Sequence, residues 1–452
     1  MQPNILFIVI DSLRADRIYG NNKVSTIPNI DYLIQKGVYF TNAITTNQYT
    51  AQVMQSIFSS RLPLENIKKK VYQKSDSISS PVSLLKNSGF NIFATLQEDI
   101  ILHGFTETFD NDDMTFASQT NLYNGLGEKI LQKLDSFSKP WFYYIHLSDL
   151  HKPCEVPEKL QHLNLVERYE QNLSEVDSFI GKILNKINLD ETLIVITSDH
   201  GDYISSVSGA RGELLKNKVK IKNFVKKFIP NLFLIKVHLK KQQIIEKINT
   251  FKVETPHEKR NIDTHKMVLN KNLFDDIIHV PLIFSGYKIN PISPITQQIC
   301  NIDIFPTVLD LIGLPTTELK LDGRSLMPLL HGKKFDSIPI YLTSLAVMKK
   351  LFLNIKMDKS LEPLVGVRTE NFKYFRNFNN SKKDVHLYDL KTDPFEDDNL
   401  FVQRTDIIQE MELILEQIQN NSLSLLNEDE DEDFKDEELN EVRESLKKLG
   451  YI

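Results

Sequence analysis

The feature that most constrains this chain is a short run near its start. Ile5-Leu6-Phe7-Ile8-Val9-Ile10 is unbroken apolar sequence, rich in β-branched side chains, and it closes on Asp11. A strand with no polar face must be covered on both sides, as at the centre of a parallel sheet between two layers of helices. Ligand sites in open α/β sheets lie beyond the carboxyl ends of the strands, so Asp11 stands where a carboxylate can hold a metal ion or a polar substrate. Aspartate is also a preferred N-cap, and capping the next helix is the alternative. The design recurs at Leu193-Ile194-Val195-Ile196-Thr197, followed by Ser198-Asp199-His200-Gly201. Here a second buried strand leads to an acid, an imidazole and a glycine where the backbone must turn tightly.

Further strand-like runs at 38–43, 90–95 and 141–147 alternate with helix-patterned stretches at 28–36, 81–88, 122–134 and 165–187. That alternation predicts an α/β chain built on a doubly wound, mostly parallel sheet. The length of 452 residues allows one large domain with an addition, or two to three domains. A formal charge of −6 is small for this size and implies no global attraction to nucleic acid or anionic lipid. Cys154 and Cys300 are too few for a disulfide scaffold or a thiolate zinc cluster. No leader pattern opens the chain, and no run reaches the ~18 apolar residues of a membrane span. The expectation is a soluble, cytoplasmic protein without a transmembrane segment.

The opening strand with Asp11, the Ser198-Asp199-His200-Gly201 turn and the Ser148-Asp149-Leu150-His151-Lys152-Pro153 turn together resemble the sulfatase-like branch of the alkaline phosphatase superfamily. The resemblance implies an alkaline-phosphatase-like three-layer sandwich with a small C-terminal antiparallel sheet. Sulfatases of the formylglycine type carry Cys or Ser, one residue, Pro or Ala, another residue and Arg at the nucleophile. Aligning the segment that ends in Ser60-Arg61-Leu62-Pro63 puts Thr50 at that position and Met54 at the arginine. Threonine cannot become formylglycine, so the resemblance is to relatives with an unmodified threonine, among them phosphoethanolamine and phosphoglycerol transferases. Read from sequence alone, Thr50 before Ala51 also suits a helix N-cap.

Carried over residue by residue, the resemblance makes Asp11, Thr50, Asp199 and His200 the ligands of one divalent metal. Manganese or zinc suits that mixed donor set better than calcium or magnesium, which remain alternatives. Thr50, His151 and His265 are the candidate catalytic residues, with His151 and His265 near the leaving or transferred group. His265 precedes Leu273 at the family's spacing, but the family's lysine falls on Asn270, with Lys271 adjacent; His279 reads as structural.

The expected organisation is a catalytic domain at 1–340 with a lysine-rich insertion at about 203–264, a small subdomain at 341–405, and a helical and acidic tail at 406–452. The insertion reads as a solvated lid, a surface for anionic polymer or lipid head groups, or a partner-binding arm. The expected activity is metal-dependent hydrolysis of a phosphate or sulfate ester, phosphoester favoured, with a glycan or lipid head group as a candidate substrate. The alternatives are a phosphoethanolamine- or phosphoglycerol-type transferase and a catalytically inactive binding protein.

Overall fold

The computed structural model describes residues 2–20, 23–63, 80–98, 100, 108–117, 120–204, 255–262, 272–334, 336–344 and 363–424. Within them run β1 (Asn4–Ile10), β2 (Val38–Ile44), β3 (Asn91–Gln97), β4 (Thr115–Phe116), β5 (Trp141–Leu147), β6 (Thr192–Thr197), β7 (His279–Gly286) and β8 (Ile299–Cys300). These form an eight-stranded sheet in the order β4-β3-β5-β1-β6-β7-β2-β8. The first apolar run becomes β1, buried along its whole length between β5 and β6, both parallel to it. The sheet is mostly parallel, but β7 runs antiparallel to both β6 and β2.

Alternation along β1 divides the core into two layers. Ile5, Phe7 and Val9 point into one, with Val53, Met54 and Phe58 of the helix Thr50–Ser59 and Phe305 and Val308 of the helix Ile304–Ile312. Leu6, Ile8 and Ile10 point into the other, against Ile30 and Leu33 of the helix Pro28–Lys36 and Leu173 and Val176 of the helix Leu165–Leu184. A strand buried on both faces was the condition set by the opening run, and two helical layers meet it. Phe7 shows the density of packing, with its ring 5.6 Å from Phe305 and 5.7 Å from Tyr144. Burying one such ring contributes roughly 1.5–3 kcal/mol.

A second sheet, antiparallel and four-stranded, holds β9 (Ile340–Thr343), β10 (Leu364–Arg368), β11 (Phe372–Asn377) and β12 (His386–Asp389) in the order β12-β11-β10-β9. It is fastened to the start of β7 through charge: Lys373, fully buried, pairs with Asp275 and Glu396, and Arg368 reaches Asp275 at 2.8 Å. The boundary expected at 406 needs correction. The helix Thr405–Ser424 belongs with the small sheet, because Met411 and Leu415 are buried among Tyr341, Val365, Val367 and Tyr374. The acidic run at 428–438 and most of the insertion, including its lysine-rich middle, lie outside the described residues. So do His265, Asn270 and Lys271. No helix among the described residues is long and apolar enough to cross a membrane.

Candidate active site

The carboxyl ends of β1, β5 and β6 lie side by side, with Val9 in register with both His146 and Thr197. Past β1 the chain turns sharply, and Ser12 takes a left-handed conformation at φ 63°. Its amide donates to Asp199 Oδ1 at 3.3 Å, its hydroxyl donates to Asp11 Oδ1 at 2.8 Å, and Leu13 N donates to Ser198 Oγ at 3.0 Å. These bonds stitch the turn after β1 to the turn after β6. Asp11 does not cap the following helix, Ala15–Ile18, whose N-cap is Arg14.

Asp199 is fully buried, and its Oδ1 accepts from His200 N at 2.8 Å. Its Oδ2 lies 3.4 Å from His200 Nε2 and has no hydrogen-bond partner among the described residues. His200 Nδ1–H donates to the Gly201 carbonyl at 2.8 Å, which leaves the Nε2 lone pair facing the carboxylates. Gly201 is required by close approach: a Cβ there would sit 2.2 Å from the Asp276 carbonyl oxygen.

Thr50 arrives from a third direction, with Oγ1 3.3 Å from His200 Nε2. It is the first residue of the helix Thr50–Ser59, and the N-cap is Tyr49, so the capping reading of Thr50 is corrected by one position. Fully buried Asn47 sets the approach, its Oδ1 accepting from Gln48 N at 2.7 Å and Tyr49 N at 3.1 Å. Met54, at the place of the family's arginine, is fully buried in the core and brings nothing polar to the site.

One ligand atom each from Asp11, Asp199 and His200 lies within 4.8 Å of the others. A buried carboxylate oxygen with no partner is costly unless a cation compensates it, so these residues fit a divalent ion. Burial opposes ionisation of Asp11, but the imidazoles of His151, His146 and His200 outweigh it and hold its pKa below the ordinary carboxylate range. Burial likewise opposes protonation of His200, while Asp199 and Asp11 raise its pKa.

His151 is half-buried, and its Nδ1–H donates to the Lys152 carbonyl at 2.9 Å. Lys152 in turn pairs with Asp202 at 2.7 Å, tying this turn to the one after Gly201. Cys154 is a buried thiol whose pKa burial and then Asp202 push up to about 12, so it stays protonated. His279 is structural as expected, donating from Nε2 to the Thr41 carbonyl at 2.8 Å. Sequence reasoning missed His146, fully buried, with Nε2 3.7 Å from Asp11 Oδ2. Its signal was a lone imidazole near the end of an otherwise apolar and aromatic strand.

A family model described as Sulfatase matches residues 3–314, and one described as N-sulphoglucosamine sulphohydrolase, C-terminal, matches residues 264–421. The Ulvan-active sulfatase of Formosa agariphila is 23% identical over 439 residues, 88% of this chain and 76% of that protein. Arylsulfatase K of Gallus gallus is 28% identical over 156 residues, 34% of this chain, and the match spans only 28% of that relative. Among solved structures, BT4656 in complex with its substrate D-glucosamine-2-N,6-O-disulfate superposes with a TM-score of 0.63 at 17% identity, covering 93% of this chain and 98% of that one. The phosphonate monoester hydrolase of Agrobacterium radiobacter superposes with a TM-score of 0.61 at 16% identity, covering 92% and 96%. At these identities the structural likeness is one of fold.

Proposed function

Because this chain belongs to the sulfatase family, we propose that it hydrolyses an anionic ester, with Thr50 as nucleophile and Asp11, Thr50, Asp199 and His200 as the holders of one divalent cation. The observation that most supports this reading is Thr50 Oγ1 at 3.3 Å from His200 Nε2, beside a buried Asp199 oxygen that lacks a partner. Manganese or zinc suits the donors. Such a cation supplies charge neutralisation on the transferred group and a lower pKa for the threonine hydroxyl.

The chain's own groups do the rest. Thr50 Oγ1, its proton released to solvent, attacks the central phosphorus or sulfur in line, and the bond to the ester oxygen breaks with that oxygen keeping the electron pair. The start of the helix Thr50–Ser59 presents free N–H groups and a positive dipole end to the anionic oxygens. His151, oriented through Nδ1, would in its imidazolium form pass the Nε2 proton to the departing alkoxide and end neutral. Water then attacks the same central atom and gives a proton to the neutral His151 Nε2, the bond to Thr50 Oγ1 breaks with that oxygen taking back a proton from solvent, and the anion leaves. His265 is a further candidate contact to the transferred group.

A phosphoester is favoured because threonine offers no aldehyde hydrate from which sulfate can be eliminated, so release takes a second displacement at the central atom. A sulfate ester is the second reading, supported by the names of the relatives, and a sulfated or phosphorylated glycan is the substrate class it implies. The deciding experiment assays phosphate and sulfate release from a panel of aryl, sugar and glycerol esters, with and without manganese. Metal-dependent turnover that Thr50→Ala abolishes is the expected result. Full turnover by Thr50→Ala rejects the nucleophile, and an alcohol acceptor that outcompetes water points to a transferase. Metal binding without turnover on any ester points to a binding protein.

A further inference from the structure

We propose that Tyr144 and His146 form a buried relay that fixes the Asp11 carboxylate through Oδ2, so that Oδ1 is the oxygen turned to the cation. The inference rests on the cation-holding reading above, in which neither side chain has a part. Both residues lie on β5 two positions apart, and so project from the same face of the sheet. That face carries Phe7, Phe58 and Phe305, and the rings of Phe7 and Phe58 pack against Tyr144.

The Tyr144 hydroxyl lies 2.6 Å from His146 Nδ1. Burial first, then the charges of Asp199 and Asp11, keep the phenol protonated. A buried phenol O–H needs an acceptor, and among the described residues Nδ1 is the one within reach. Accepting at Nδ1 puts the imidazole proton on Nε2, the nitrogen that faces Asp11 Oδ2 at 3.7 Å. That separation exceeds a hydrogen bond, and His146 Nε2 has no other partner. Across that separation His146 favours the ionised form of Asp11.

The two oxygens of Asp11 are thereby given different tasks. Oδ2 faces the imidazole N–H, while Oδ1 accepts from Ser12 Oγ at 2.8 Å and lies 3.9 Å from His200 Nε2. An orphaned donor in a core is costly, and a merely space-filling histidine has no reason to carry that cost. Outer partners that orient a metal-binding carboxylate typically change metal affinity about 10–100-fold when removed.

The test uses the full chain and two readouts, calorimetric titration of manganese into chelator-treated protein and 15N imidazole NMR of His146. The relay predicts the Nε2–H tautomer in the wild type. It predicts manganese affinity about 10-fold weaker in Tyr144→Phe and about 100-fold weaker in His146→Leu, with most of the loss recovered by His146→Gln, whose amide N–H can donate from the same place. Adding Tyr144→Phe to His146→Leu should weaken binding no further. Thermal denaturation of the metal-free variants separates a packing defect from a loss of orientation. An Nδ1–H tautomer in the wild type, or wild-type affinity in folded His146→Leu, overturns the relay alone. Wild-type protein that takes up no manganese overturns the cation reading beneath it.

Discussion

Gly201→Ala is the substitution whose consequence the geometry fixes most tightly. The added Cβ would sit 2.2 Å from the Asp276 carbonyl oxygen and 3.2 Å from Arg14 Cγ, whereas ordinary contacts begin near 3.4 Å. The turn and the carbonyl must therefore separate by about 1.2 Å. The carbonyl side is poorly placed to give way. Asp276 is held by Arg14 at 2.8 Å and His257 at 3.1 Å, and the next residue's carbonyl accepts from Gly201 N at 2.6 Å. The displacement falls instead on the turn that carries His200, whose Nε2 is 3.3 Å from Thr50 Oγ1 and 3.4 Å from Asp199 Oδ2. A misplacement of this size costs about 100-fold in turnover, and overpacking costs roughly 1–3 kcal/mol of stability. The assay is kcat on the best ester of the panel, measured well below the melting temperature, with manganese titration and thermal denaturation alongside. Wild-type kcat, metal affinity and melting temperature in Gly201→Ala would refute the claim that the close approach at Gly201 positions His200.

Three more outcomes are expected. His151→Gln should lower turnover about 100- to 10,000-fold on alkyl esters and far less on esters with a good leaving group, and equal losses across a leaving-group series would reject the proton-donor role. Removing metal with a chelator should abolish turnover and lower the melting temperature; manganese restored to 100 times its Kd should return about 2.7 kcal/mol, read from paired denaturation curves. Burial opposes ionisation of Asp276, but Arg14, His257 and Arg260 outweigh it and hold the carboxyl well below the ordinary range. The folded-state pKa is thus below the unfolded one, so the stabilisation is present above about pH 4 and is lost as pH falls further. Urea midpoints from pH 3 to 7 should show an acid decline that flattens in Asp276→Asn, at a cost of about 3–5 kcal/mol at pH 7 for breaking the buried pair.

Much of the site was legible because its donors end strands whose apolar pattern is unmistakable. Asp11 follows a run buried on both faces, and Asp199 and His200 follow another, so patterning put each at a strand end, while their reading as ligands came from the family resemblance. Thr50 was legible only through the family alignment, and its place one residue inside the helix depends on the Asn47 turn, which no periodicity announces. Met54 looked like a lost site residue and proved to be core, because the helix Thr50–Ser59 turns that face toward Phe7 and Phe305. The sequence groups the helix Thr405–Ser424 with the acidic run that follows it. Its buried Met411 and Leu415 make it the cover of the small sheet.

By itself the sequence determined five strands of the main sheet, β1, β2, β3, β5 and β6, and which of them end in ligand-type side chains. All of these are properties of neighbouring residues: period, run length and the identity of the group at a strand's end. Only the tertiary structure decided that Asp11, Asp199 and His200 share one space with Thr50, that His146 stands behind Asp11, and that Gly201 lies against Asp276. Hydrogen bonds and ion pairs reach about 3–4 Å, so which groups meet is set by strand order and register, and those are fixed only when the whole sheet is assembled.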